Sequence, residues 1–240
     1  MSRFTHEPGL DLPARAVRLT ATERGATAAL SLAGERVELC PDRALHWPRE
    51  RTLFVADVHL GRSAAFRAGG VPVPRGATAA DLARLSSLIA RTASARLVIL
   101  GDFLHAAAGR VAALDIAMRQ WRAAHPRLSV LLVRGNHDSR AGDPPSAWDI
   151  EVVSAPHALS PFLACHEPVT PPTGYALCGH VHPGIVVSDA HDSARLPCFV
   201  LGQRRALLPA FGRFTGLATI VPAPGETVVA IANGRLFPLR

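Results

Sequence analysis

Continuous apolar runs alternate with amphipathic segments through the first two thirds of the chain. The runs "LFVA" (53–56), "RLVIL" (96–100), "LSVLLV" (128–133), "FLAC" (162–165) and "YALC" (175–178) are short and almost free of polar positions, which predicts strands buried on both faces. Residues 78–91 set Leu82, Leu85 and Ile89 along one helical face behind a Thr78-x-x-Asp81 capping pattern. A second helix is predicted from Arg110 to Ala124, with Val111, Leu114, Met118 and Trp121 at helical spacing and Pro126 barring its continuation. Residues 27–40 alternate as two short strands around an Ala33-Gly34 turn. Beyond Pro168 the chain is richer in proline and glycine, with an ordered loop expected in "EPVTPPTGY" and short strands near 184–188, 197–201, 217–221 and 227–231. The pattern predicts an α/β sandwich, sheets in the middle and helices outside, as a single domain over residues 1–240.

Composition narrows this picture. With 240 residues, 48% of them hydrophobic, the chain can bury one substantial core. No run reaches the roughly eighteen apolar residues of a membrane span, and the opening MSRFTHEPGL lacks the zones of a signal peptide, so a soluble cytoplasmic protein is expected. Cys40, Cys165, Cys178 and Cys198 show no CxxC spacing and read as buried thiols. The net charge is +7, and all 26 basic residues are arginine. Arginine's planar fork of donors suits phosphate, but these arginines are scattered, only Arg204 and Arg205 are adjacent, and charge alone identifies no partner.

The chemistry-bearing residues stand directly after the apolar runs. The first run leads into Asp57-Val58-His59, the second into Gly101-Asp102, the third into Gly135-Asn136-His137-Asp138, the fourth into His166 and the fifth into Gly179-His180-Val181-His182. Ligands of open α/β sheets bind at the carboxyl ends of strands, so five such ends would gather these groups into one pocket. An extended backbone sends residues i and i+2 to one side, so Asp57 and His59 are expected to aim at one point, as are His180 and His182. Imidazole nitrogen mixed with carboxylate and amide oxygen suits manganese, iron, zinc or cobalt. Seven ligands exceed what one ion with an open position needs, but suit two ions with a shared carboxylate, for which Asp102 is the best candidate. Two such ions about 3.5–4 Å apart can hold a hydroxide between them and stabilise an in-line displacement at phosphorus.

The series D-x-H, G-D, G-N-H-D, H and G-H-x-H, in this order over residues 57–182, resembles the calcineurin-like metallophosphoesterases. The resemblance implies an α/β sandwich with two central mixed β-sheets flanked by helices. It implies that Asp57, His59, Asp102 and His182 hold one metal and that Asp102, Asn136, His166 and His180 hold the other. It also implies that His137 is no ligand but faces the substrate phosphate, stabilising charge and donating a proton to the leaving oxygen. Asp138 is assigned with it as the catalytic pair, orienting the ring, although an aspartate at this place is also a common helix cap.

The segments "ELCPDRALHWPRERTLFVADVHLGRSAAFRAGGVPVPRG" and "LLPAFGRFTG" further resemble the bacterial ligase-associated DNA damage response endonucleases. That narrower resemblance implies a manganese-dependent phosphodiesterase that cuts DNA, single-stranded or flapped, beside a ligase and a helicase in repair. No extension after the last motif forms a separate DNA-capping domain, so grip must come from loops on the core. Arg62, Arg67 and the "AGGVPVPRG" loop are candidates, with solvated arginines as the plainer reading. His105 is placed to approach the site or to support it; His46, His125, His157 and His191 carry no motif. Trp47, Phe211 and Phe214 read as core, against a stacking role on bases. Against the nuclease stand a phosphodiesterase or pyrophosphatase for a nucleotide or other small phosphodiester, a phosphomonoesterase, and a basic DNA-binding module whose metal site is only structural. A free imidazole at His137 argues against the last, because structural sites close every coordination position.

Overall fold

The computed structural model describes residues 21–188 and 192–239. The opening decapeptide and His191 lie outside the described residues. In chain order the elements are β1 (Ala28–Leu32), β2 (Glu35–Cys40), β3 (Ala44–Trp47), β4 (Thr52–Val55), α1 (Arg62–Ala68), α2 (Ala77–Thr92), β5 (Arg96–Leu100), α3 (Ala112–Ala124), β6 (Ser129–Val133), α4 (Asn136–Ala141) and β7 (Glu151–Val153). Then come β8 (His157–Leu159), β9 (Phe162–Ala164), β10 (Tyr175–Cys178), β11 (Pro183–Ser188), β12 (Ser193–Leu201), β13 (Arg205–Leu207), β14 (Ala218–Thr219), β15 (Thr227–Ala232) and β16 (Arg235–Leu239).

Strands β1 to β7 form one sheet in sequential order, antiparallel through β4 and parallel from β4 to β7. The remaining nine form a second mixed sheet, in which β10 runs parallel to both β9 and β13. The sheets face each other across a core that includes Leu39, Leu45, Phe54, Val98, Leu100, Phe162, Leu177, Phe199 and Val229. A second core, with Leu53, Val55, Leu97 and Ile99, packs the other face of the first sheet against Leu82, Leu85, Leu88 and Met118 of α2 and α3. Along β4 and β5 successive residues therefore feed opposite cores, which is why these strands read as unbroken apolar runs.

The helices cover only the first sheet. On the outer face of the second, small residues such as Cys165, Ala176, Cys178 and Cys198 are buried, and the backbone amide of Val169 in the proline-rich loop bonds the Cys178 thiol. All four cysteines are free and buried. Trp47 packs edge-on against Phe162 with ring centroids 4.9 Å apart, and its indole donates to Glu35 at 2.9 Å. The capping role expected of Thr78 is not taken up: α2 starts after Gly76, which is left-handed, and no side chain caps it. Asp81 turns inward instead, pairing with Arg84 at 3.2 Å and accepting from the Arg213 amide at 3.4 Å. No helix among the described residues is long and apolar enough to cross a membrane.

Candidate metal centre

The five motifs meet where the two sheets adjoin, three at the ends of β4, β5 and β6 and two at the ends of β9 and β10. They therefore do not lie along one sheet edge. Asp57, His59 and His182 bring ligand atoms within 4.8 Å of one another, and Asp102, His166 and His180 do the same. Asn136 joins the second group, its Oδ1 lying 2.9 Å from His166 Nε2 and 3.1 Å from His180 Nδ1. Asp102 lies between the groups: Oδ1 is 3.4 Å from His166 Nε2, and Oδ2 is 3.8 Å from His59 Nε2.

The expected pincers of extended backbone are not what achieves this. Asp57, His59, Asp102, His180 and His182 all have φ between 50° and 70°, a left-handed conformation that costs a side-chain-bearing residue about 1–2 kcal/mol. The pleat is broken at these three motifs, and His180 and His182 enter different groups. Hydrogen bonds hold the turns in place. Asp57 N donates to the Gly101 carbonyl and His59 N to that of Asp102, at 3.1 and 2.9 Å. The Asp57 carboxylate accepts from His180 N at 2.9 and 3.1 Å, and Asp102 Oδ1 from His137 N at 2.8 Å.

Backbone carbonyls fix the imidazoles. A carbonyl only accepts, so His166 Nδ1 donates to Leu100 (3.0 Å), His182 Nδ1 to Gly216 (3.2 Å) and His137 Nδ1 to His105 (2.7 Å). Each ring is left with its Nε2 lone pair toward the cleft. The His182 lone pair faces His59 Nε2 at 3.2 Å. Burial above all, then the neighbouring His182, His137, Arg62 and His105, pushes His59 down to about 2, so it is neutral at physiological pH. Burial likewise raises the Asp102 carboxyl, against the pull of His166. Buried carboxylates among imidazoles whose ring nitrogens converge form a donor set that fits divalent cations.

Other expected positions divide. Among the described residues the Asp138 carboxylate makes no hydrogen bond or ion pair with the His137 ring. Fully buried, it accepts from Leu104 N at 2.9 Å and from Gly135 N at 3.0 Å, capping α4 and tying it to the loop after β5. The ring is oriented by the His105 carbonyl, which no sequence pattern marks. His105 itself stacks on His137 with centroids 5.0 Å apart, and its Nδ1 lies 3.4 Å from His59 Nδ1. His59, His105 and His137 thus form a third possible ligand group sharing His59 with the first. Burial first, then Arg62 and His137, pushes His105 down to about 4. Arg67 folds back on the carbonyls of Val73 and Pro74. Phe211 is buried as expected, but Phe214 is 41% exposed, which corrects its reading as core.

Gly101 shows how tightly the turns pack. Its φ is 78°, and a Cβ there would meet the His166 imidazole. Gly101→Ala is expected to destabilise the fold by roughly 1–3 kcal/mol and to loosen retention of divalent metal by displacing His166. Thermal melts and metal titration would check this; wild-type retention would show that His166 is not held there.

A sequence model of the calcineurin-like phosphoesterase family matches residues 50–169. Among solved structures, the nuclease MPE of Pseudomonas putida is similar at 43% identity and a TM-score of 0.78, covering 89% of this chain and 100% of that one. YfcE, a phosphoesterase from E. coli, is 15% identical over 76% of this chain and 88% of its own, with a TM-score of 0.34 that carries no argument. No curated protein matches. The chain belongs to the calcineurin-like phosphoesterase family and is a metal-dependent phosphoesterase.

Proposed function

We propose that this chain is a two-metal phosphodiesterase that cuts DNA internally, in the service of DNA repair. The observation that carries the two-metal reading is the Asp102 carboxylate, with one oxygen toward His166 and the other toward His59. Asp57, His59, His182 and Asp102 would hold one divalent cation and Asp102, Asn136, His166 and His180 the other, manganese by preference, supplying Lewis-acid charge to the phosphoryl oxygens. The protein's own groups set the geometry and the proton. Leu100, Gly216 and His105 carbonyls lock three imidazoles in one tautomer, so no reorientation is needed as charge develops. His137 Nε2 lies 3.9 Å from Asp102 Oδ2, and its side chain is 31% exposed. In the imidazolium form it donates a proton from Nε2 to the departing oxygen while Nδ1–H stays on the His105 carbonyl.

The DNA substrate is supported by the likeness to the Pseudomonas putida nuclease and by the net charge of +7. Action beside a ligase and a helicase rests on the sequence resemblance alone. Circular single-stranded DNA tests the reading, because circles offer no ends. Chelator-stripped protein should leave circles intact, and added manganese should restore cutting. Intact circles alongside hydrolysis of bis(p-nitrophenyl) phosphate would leave a phosphodiesterase and remove internal cutting of DNA.

A further inference from the structure

We propose that the open surface at the mouth of the small pocket beside the first ligand group, itself roomy enough for about one water molecule, is a nucleotide subsite. Phe214 stacks on a base flanking the scissile phosphate there, and Arg213 and Arg62 hold the adjoining backbone phosphate. The proposal rests on the DNA reading above and adds where the strand is gripped. The pocket is lined by His59, Arg62, Thr78, Arg213, Phe214 and Thr215, among others, so it shares His59 with the candidate metal centre.

The segment carrying Arg213 and Phe214 is fixed to that centre. Phe211 N donates to the Ala56 carbonyl at 2.7 Å, Gly212 N to that of Asp57 at 3.1 Å, and His182 donates to the Gly216 carbonyl at 3.2 Å. Phe211 anchors the segment from below, fully buried under the Arg84 guanidinium, which lies 3.9 Å from the ring centroid. Three residues on, Phe214 leaves the core. A large aromatic ring 41% exposed on a backbone this tightly tied forgoes apolar burial and presents a π face beside the site.

The charges around it suit a phosphate. Arg213 is exposed, and its guanidinium makes no hydrogen bond or ion pair among the described residues. Arg62 is held over Phe66 at 5.1 Å, and its buried Nε has no partner. The one carboxylate in the lining, Asp81, is buried and paired with Arg84. The cleft on the other side, beside Asn136 and His166, differs: Arg134 there is bound in bidentate fashion by Asp143 at 2.9 and 2.7 Å, and Glu167 adds negative charge. Backbone phosphate is thus favoured on one flank of the centre only.

The test compares kcat/KM on single-stranded DNA circles and on bis(p-nitrophenyl) phosphate, with manganese. Phe214→Ala is expected to lose about tenfold on circles, through KM, and far less on the small diester, while Phe214→Tyr restores cutting. Arg213→Ala should lower the slope of log Kd for oligothymidylate against log salt by about 0.7. Equal losses on both substrates, or no loss on circles, would overturn the subsite while wild-type cutting leaves the nuclease reading in place. Failure of the wild type on both circular and linear single-stranded DNA would overturn the nuclease reading itself and the subsite with it.

Discussion

Asp102→Ala should release both metals and remove essentially all turnover. The carboxylate is 2% exposed and lies between the two ligand groups, so its loss removes a charged donor from each at once. Both groups then keep a single Asp57 carboxylate between them, too little charge to draw two dications from water. A drop of at least about a thousandfold in kcat/KM is expected, near 4 kcal/mol of transition-state stabilisation. Because Asp102 also accepts from His137 N, Asp102→Asn is the companion variant: it keeps an acceptor for that amide and lacks the charge. Elemental analysis after dialysis against manganese would read the ions bound, with circular dichroism reporting the fold. Two ions per folded chain in either variant would sink the shared-carboxylate assignment.

His137→Ala should behave in the opposite way, keeping its metals and losing rate. Its ring makes one anchoring bond, to the His105 carbonyl, and otherwise faces the cleft beside Asp102. General acid catalysis contributes about a hundred- to ten-thousandfold, and a loss of that size is expected on DNA, whose leaving alkoxide needs a proton. On bis(p-nitrophenyl) phosphate, whose leaving group departs as a stable anion, the loss should be much smaller. An equal loss on both substrates would remove the general-acid role, and metal loss matching that of Asp102→Ala would place His137 among the ligands; its grouping with His59 and His105 makes the metal comparison decisive.

Much of this centre was legible because its chemistry and its strands announce themselves together. Strands β4, β5, β6, β9 and β10 are buried on both faces, so each reads as an apolar run, and the ligand types stand directly after it. Less visible were β3, β7, β8 and β16. These are short, and a residue such as His46 or Glu151 interrupts their apolar pattern. Helix α4 was hidden for another reason: its first residues are the motif itself, Asn136 to Asp138, and Asp138 reads equally well as catalyst or cap until the amides that donate to it are known. The left-handed residues Asp57 and His59 have no adjacent glycine to mark them. Nor could the orienting groups be read, since Leu100, His105 and Gly216 act through carbonyls that every residue possesses. Phe211 and Phe214 share a residue type and a loop, and only the packing of Arg84 separates the buried ring from the exposed one.

Because the centre draws on both sheets, its parts are scattered in time as well as in space. Asp57 and the backbone amide of His180 that binds it are separated by 123 positions, and the last proposed ligand, His182, comes three quarters of the way along the chain. During synthesis the first 140 or so residues emerge with Asp57, His59, Asp102 and Asn136 but without the imidazoles of His166, His180 and His182 that complete the two groups. A chain cut short anywhere before His182 carries an unfinished set, whatever its first sheet has managed to fold. The metal centre is thereby incomplete until three quarters of the chain has been made.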